Sequence, residues 1–191
     1  NGMIASAPGE RTQISGHDTH EYLHLLRSTY DAIAVGIGTV LADDPMLTAR
    51  VEGYEHSIVR IVFDSSLKIP IGSKLVQTAK DEPVWVFYKN AADDKKDKLL
   101  GQGVTLFETG ACVTSALHQM AEQGITRLLV EGGATLHHSF LQADVFDEVQ
   151  QFQSHKLLPD DGVKAASFDF DGMSCVEKRD LGEDLLEIYR R

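Results

Sequence analysis

The apolar run Ala32-Ile33-Ala34-Val35 passes directly into Gly36-Ile37-Gly38-Thr39-Val40-Leu41-Ala42-Asp43-Asp44-Pro45-Met46-Leu47-Thr48, and this junction constrains the chain most. A short apolar run of this kind reads as a buried strand. Gly36 and Gly38 lack a Cβ, so the backbone there can approach another group closely. Thr39 offers a hydroxyl just beyond them, and a paired acid and a proline end the segment. A strand that breaks into glycines and then starts a helix is a natural site for an anionic ligand. The same logic recurs at Leu128-Leu129-Val130-Glu131-Gly132-Gly133-Ala134-Thr135-Leu136. Two such junctions in one small chain suggest a nucleotide clamp. The plain alternative is that these are packing glycines where a helix crosses a sheet.

The remaining pattern supports an α/β fold. Strands are predicted at residues 31–36, 58–64, 83–88, 104–107 and 127–130. Helices are predicted at residues 18–30, 113–123 and 134–143. Asp18 or Thr19 is expected to cap the first helix, with Glu21 completing a capping box. Strands alternating with helices indicate a mostly parallel central sheet covered on both faces. The tail differs: residues 146–152, 165–170, 175–179 and 185–189 read as antiparallel strands that finish the sheet's edge. The run Asp93-Asp94-Lys95-Lys96-Asp97-Lys98 reads as a solvated turn or helix face, and Trp85 as core.

At 191 residues, the chain is expected to form one domain with a full core. No apolar run approaches the roughly 20 residues that span a bilayer, so no membrane partner is expected. Cys112 and Cys175 are far apart and form no metal pattern. They read as buried or partly buried thiols in a reducing, cytoplasmic setting. His17, His20, His24, His137 and His138 lack accompanying carboxylates in a ligand pattern, so no metal is expected. The net charge of −11 argues against a nucleic-acid partner. It leaves a small phosphorylated ligand open, because the global field is screened beyond roughly 8 Å. One cation about 4 Å from a phosphate contributes up to about 4 kcal/mol.

These blocks resemble the reductase domain of riboflavin biosynthesis, which has a dihydrofolate-reductase-like fold. The resemblance runs through nearly the whole chain. It is carried by Asn1-Gly2-Met3-Ile4-Ala5, Ile14-Ser15-Gly16, Leu26-Arg27, the glycine blocks at residues 35–50 and 130–136, Arg60-Ile61-Val62-Phe63-Asp64-Ser65, and Lys156-Leu157-Leu158. It implies NADPH as cofactor and a small phosphorylated pyrimidine as substrate. The implied reaction reduces the ribose of 5-amino-6-(5-phosphoribosylamino)uracil, or of the diamino-pyrimidinone form, to a ribityl chain. The hydride would pass to C1′ of the open-chain Schiff base. By resemblance, Gly38, Thr39, Asp43, Ser65, Gly132, Gly133, Ala134, Thr135, Leu136 and Ser139 contact the cofactor. Arg27, Leu47, Arg50 and Glu131 contact the substrate, and Asp43 and Glu131 support the cationic imine. Lys156 is a further candidate near the pocket.

The resemblance also implies a homodimer and a core strand upstream of Asn1, with room for a fused deaminase domain ahead of it. Three positions depart from the family pattern, one being Pro159 where a glycine usually follows Lys156-Leu157-Leu158. Gln13 stands where a cofactor-packing tryptophan is usual, and Arg11 where a substrate-side serine is usual. The Gln13 and Arg11 departures keep one rival in view, a related reductase acting on another pterin- or pyrimidine-like substrate; a second rival is a non-catalytic nucleotide-binding module, and the intact Thr39, Asp43, Glu131 and Gly133 count against it.

Overall fold

A computed structural model describes residues 1–7, 9, 12–53, 57–110 and 112–191. In chain order the elements are β1 (Met3–Ala5), α1 (His17–Arg27), β2 (Ala32–Gly36), α2 (Ile37–Asp43), β3 (Val59–Phe63), α3 (Lys74–Gln77), β4 (Val84–Tyr88) and α4 (Asp93–Gly101). There follow β5 (Thr105–Glu108), α5 (Val113–Glu122), β6 (Leu128–Gly132), α6 (Ala134–Gln142), β7 (Glu148–Gln153), β8 (Val163–Lys164), β9 (Ser174–Leu181) and β10 (Asp184–Arg190).

The central sheet has the order β5-β4-β3-β2-β6 and every pairing in it is parallel. Alternate residues of β2 feed opposite faces, as the strand's two-residue period requires. Ile33 and Val35 pack with Val40 of α2, Leu75 and Val76 of α3 and Leu99 of α4. Ala32 and Ala34 pack with Ala116 and Met120 of α5 and with Leu136 and Phe140 of α6. Small residues on this second face leave room for the two helices to lie close. Asp31 sets the start of the β2–β6 pair: its carboxylate accepts the Thr126 hydroxyl and the amides of Thr126 and Arg127, at 2.7 to 2.8 Å. Those bonds pull its pKa below the usual carboxylate value.

Arg60 is the least expected core residue. It sits in β3 with 0% exposure. Its guanidinium donates to the carbonyls of Met46, Thr78 and Glu82 and to the Thr78 hydroxyl. The Glu82 carboxylate lies 3.6 Å from Nε. A buried cation is tolerable only when held in this way.

Several local expectations change. Helix α1 begins at His17, with Gly16 at its N-cap and no side-chain cap from Asp18 or Thr19. The cap is supplied in trans: Asp184, at the start of β10, accepts the Gly16 amide and the Thr19 hydroxyl, each at 2.7 Å. Burial, the largest influence, would raise the Asp184 pKa, but these two bonds together with a hydrogen bond from Ser154 and the charge of Lys156 outweigh it and the pKa is lowered. Residues 165–170 form no strand. Phe168 and Phe170 stack on each other and reach Phe146 and Tyr189. Their alternation thus serves ring packing rather than a ladder. The nearby strand is β8, which pairs with β1. Both cysteines are exposed, Cys112 ahead of α5 and Cys175 on the edge strand β9. Trp85 is half-buried and packs on Phe107 in the second core cluster.

The tail strands form their own antiparallel sheet, β7-β10-β9, instead of extending the parallel one. Among the described residues, β6 is bonded only to β2 and β7 only to β10. Helix α1 reaches both strands. Its Arg27 bonds Glu131 of β6, and its Tyr22 hydroxyl donates to Gln150 of β7 at 3.2 Å. Residues of both strands are therefore bonded to one helix. Strand β6 is half-buried throughout, whereas its neighbour β2 is nearly fully buried.

Candidate functional site

Strands β2 and β6 are parallel neighbours, with Val35 opposite Gly132. The two glycine junctions therefore end side by side at the carboxyl edge of the sheet, where open parallel sheets bind ligands. Thr39 joins them. Its hydroxyl oxygen lies 3.3 Å from where a Cβ on Gly132 would sit, and 3.5 Å from one on Gly133. Gly133 caps α6 with φ +92° and ψ 117°, a conformation that L side chains rarely adopt. Beyond it, the first amides of α6, those of Ala134, Thr135 and Leu136, have no partner within the helix by its geometry. The Leu136 side chain is core, so its main chain is what it offers to a ligand. Ser139 lies one turn on, its hydroxyl bonded to the Thr135 carbonyl at 2.9 Å. A Cβ at Gly38 would meet nothing within 4 Å, so the close approach belongs to Gly132 and Gly133 rather than to Gly38.

Ser65 is exposed at the same edge of the sheet, beyond β3. Its carbonyl accepts the amides of Lys89 and Asn90, tying the ends of β3 and β4 together. The turn is held from beneath by buried Asp64, which accepts the Ile69 amide at 2.7 Å. Asp43 ends α2 and is half-buried. Asp44 then takes a left-handed conformation, φ 41°, and its carboxylate accepts the Lys74 amide at 2.9 Å. The loop leaving α2 is thereby pinned to α3.

Four substrate-side candidates collect beside this edge. Arg27 ends α1 and grips Glu131 at the end of β6 with a two-pronged bond, Nε and Nη2 lying 2.5 and 2.6 Å from its two oxygens. Nη1 of Arg27 donates to the Thr48 carbonyl at 3.0 Å. Both side chains are largely buried, 17% and 14% exposed, so each balances most of the other's charge. Every carboxylate oxygen of Glu131 keeps acceptor capacity beyond its arginine bond. Leu47 has φ 53° and is 3% exposed, its side chain in the first core cluster, so it too offers main chain. Arg50 is exposed, its Nε donating to the Thr48 hydroxyl at 3.3 Å. Its two terminal nitrogens have no partner among the described residues.

Sequence reasoning weighed His24 only as a metal ligand, whereas it lies at the centre of this cluster. Its Nδ1 is 3.1 Å from the Thr48 carbonyl and 3.3 Å from the Arg50 amide. The available signal was its spacing from Arg27: three residues apart on a helix share a face. Arg11 lies outside the described residues. Gln13 is exposed, and its carbonyl accepts the Lys156 ammonium at 3.3 Å. A cavity of about 460 Å³ lies elsewhere, lined by His138, Phe146, Asp169 and Arg191 among others, and none of the predicted site residues lines it. Among the described residues no three of His, Cys, Asp and Glu converge as a metal site would need. No helix among them is long and apolar enough to cross a membrane.

The family model of the RibD C-terminal domain matches residues 1–175. The riboflavin biosynthesis protein RibD of Aquifex aeolicus is 30% identical over 201 residues, covering 100% of this chain and 55% of that protein. The chain thus spans about half the length of this relative. It spans 92% of the 2,5-diamino-6-ribosylamino-4(3H)-pyrimidinone 5′-phosphate reductase of Methanothermobacter thermautotrophicus, with 32% identity over 206 residues and 99% of this chain covered. A solved structure of Acinetobacter baumannii RibD superposes with a TM-score of 0.84 over 99% of this chain and 54% of that one, at 24% identity, and so supports the fold. The parallel sheet with its two glycine junctions, the antiparallel tail and the match over residues 1–175 all lead to one assignment: this chain belongs to the RibD C-terminal domain family.

Proposed function

We propose that the chain is a riboflavin-biosynthesis reductase. It would use NADPH to reduce the ribose of a 5-phosphoribosylaminopyrimidine, either the uracil or the diamino form. The observation that carries this reading is the meeting of Thr39 with Gly132 and Gly133 at adjacent strand ends. A dinucleotide fits these residues. Gly133 has the backbone that only glycine adopts freely, and the cradle faces the amides that open α6. Gly132, Gly133 and the main chain of residues 134–136 would hold the diphosphate, Thr39 would hydrogen-bond beside it, and Ser65 would face the adenosine end. When bound, the nicotinamide supplies the hydride.

The chain's own groups orient the partner. Arg50 presents a fork suited to a phosphate monoester. Glu131, fixed in place by Arg27, has acceptor capacity for ribose hydroxyls. Carboxylates at Glu131 and Asp43 would favour the protonated, cationic imine that accepts the hydride at the sugar's C1′ to give the neutral amine. No covalent nucleophile is needed.

The test is NADPH consumption with each phosphoribosylaminopyrimidine form. NADPH binding without turnover of either form would favour the non-catalytic module, and turnover of another pterin or pyrimidine alone would favour the related reductase. Arg50→Ala separates the two ligands. It is expected to weaken the phosphorylated substrate by about 2–3 kcal/mol, the scale of a charge-assisted hydrogen bond, and to leave NADPH affinity nearly unchanged. The reverse pattern in a binding titration would move Arg50 to the cofactor.

A further inference from the structure

His24 uses a single ring nitrogen for two contacts that no one protonation state can make. Nδ1 lies within bonding distance of an acceptor, the Thr48 carbonyl, and of a donor, the Arg50 amide. A bare Nδ1 accepts the Arg50 N–H and cannot donate, whereas a protonated Nδ1 donates to Thr48 and leaves the Arg50 amide without its acceptor. The surroundings favour the bare form. Arg27 already donates to the Thr48 carbonyl at 3.0 Å, so that carbonyl does not need His24. The neutral ring with its proton on Nε2 is then the state in which both Thr48 and Arg50 are satisfied.

We infer that His24 is a positioning residue: through the Arg50 amide it holds the Thr48–Arg50 segment so that the Arg50 guanidinium faces a phosphate monoester. The inference rests on the substrate role proposed for Arg50. His24 touches no reacting atom in this arrangement; it acts through the backbone of a neighbour. Protonating the ring withdraws the acceptor from the Arg50 amide and redirects the ring toward a carbonyl already served. The segment is then held by fewer bonds, and anion binding weakens.

The charges facing the ring agree. Burial lowers the His24 pKa from the usual 6.5, Arg27 and Arg50 lower it further, and the Thr48 carbonyl and Glu131 act in the opposite direction without prevailing. With the folded pKa depressed, the neutral ring persists at neutral pH. The bond to Arg50 is lost as pH falls through that lowered pKa, below 6.5. Because the folded pKa lies below the unfolded 6.5, the ring's contribution to stability is full above that value and is lost as pH falls from 6.5 through the folded pKa.

Nitrogen-15 NMR of the His24 imidazole, together with a pH series of ribose 5-phosphate binding, tests this in the intact chain. The expected spectrum near neutral pH has an unprotonated Nδ1 and a protonated Nε2. Exchange of the Arg50 amide should speed up as the ring protonates. His24→Asn places an acceptor near the Nδ1 position and does not titrate. It should keep the neutral-pH affinity and show a smaller acid-side decline than the wild type, only the part that protonation of the phosphate itself causes, its second pKa being about 6. His24→Leu should bind ribose 5-phosphate roughly fivefold more weakly at neutral pH, the scale of one lost hydrogen bond. A proton on Nδ1 near neutral pH, or an acid-side decline of unchanged size in His24→Asn, would overturn the inference while leaving the substrate site intact. Ribose 5-phosphate binding that is unaffected by Arg50→Ala would instead remove the substrate reading, and the ring's tautomer and the Arg50 amide exchange would still decide whether His24 holds the segment.

Discussion

Gly133→Val is expected to weaken NADPH binding by at least about tenfold, or about 1.4 kcal/mol. Two effects combine. The branched Cβ would enter the space proposed for the diphosphate at the start of α6, about 3.5 Å from the Thr39 hydroxyl. The residue would also have to hold φ +92°, which strains any L side chain and a β-branched one most. That strain is expected to lower stability by about 1–3 kcal/mol. Since a Cβ at this position makes only ordinary contacts, the fold should survive. Thermal melts and an NADPH fluorescence titration on the same samples separate the two effects. A folded variant that binds NADPH as tightly as the wild type would place the cofactor away from this junction.

The largest stability effect is expected from Arg60→Leu, at about 3–5 kcal/mol in urea unfolding. Leucine could fill part of the volume but could not serve the acceptors. The Met46, Thr78 and Glu82 carbonyls and the Thr78 hydroxyl would all lose a donor in a region with no exposure at the arginine itself. Each buried polar group left unsatisfied costs about 1–3 kcal/mol, while Glu82, partly exposed, can be rehydrated. The loss should extend to the site. Met46 precedes Leu47, whose φ of 53° needs support from its surroundings. Ribose 5-phosphate binding at Arg50 should therefore weaken in the variant even under conditions where it remains folded. A change below about 1 kcal/mol in the urea experiment would show that the acceptors find other partners.

Arg60 also shows where reading the chain alone stops. Within the strand predicted at residues 58–64 Arg60 is a charge among Ile58, Val59, Ile61, Val62 and Phe63, and the fold buries it completely, because β3 is central and loop carbonyls converge on the guanidinium. Nothing in the local sequence of β3 predicts that convergence, since its acceptors come from residues 46, 78 and 82. The trans cap on α1 has the same character. Asp18 and Thr19 have the right types to cap the helix, but Asp184, 168 residues beyond Gly16, supplies the bond. Local propensity ranks nearby caps and cannot see a hairpin that arrives from the other end of the chain.

What the sequence by itself determined is the alternation of the five central strands β2–β6 with helices such as α1, α5 and α6, and the two glycine junctions. Both are local: they depend on a two-residue or 3.6-residue apolar period and on the absence of a Cβ, and neither requires a distant partner. Tertiary structure alone decided that the junctions lie on adjacent strands, so that Thr39 meets Gly132 and Gly133. It also decided that Arg27 and Glu131, 104 positions apart, bind each other, and that His24 stands between the Thr48 carbonyl and the Arg50 amide. These contacts are set by strand order and by the docking of α1 against β6 and β7. Such arrangements follow from packing the whole chain at once, because the groups that meet are separated by far more sequence than any local pattern spans.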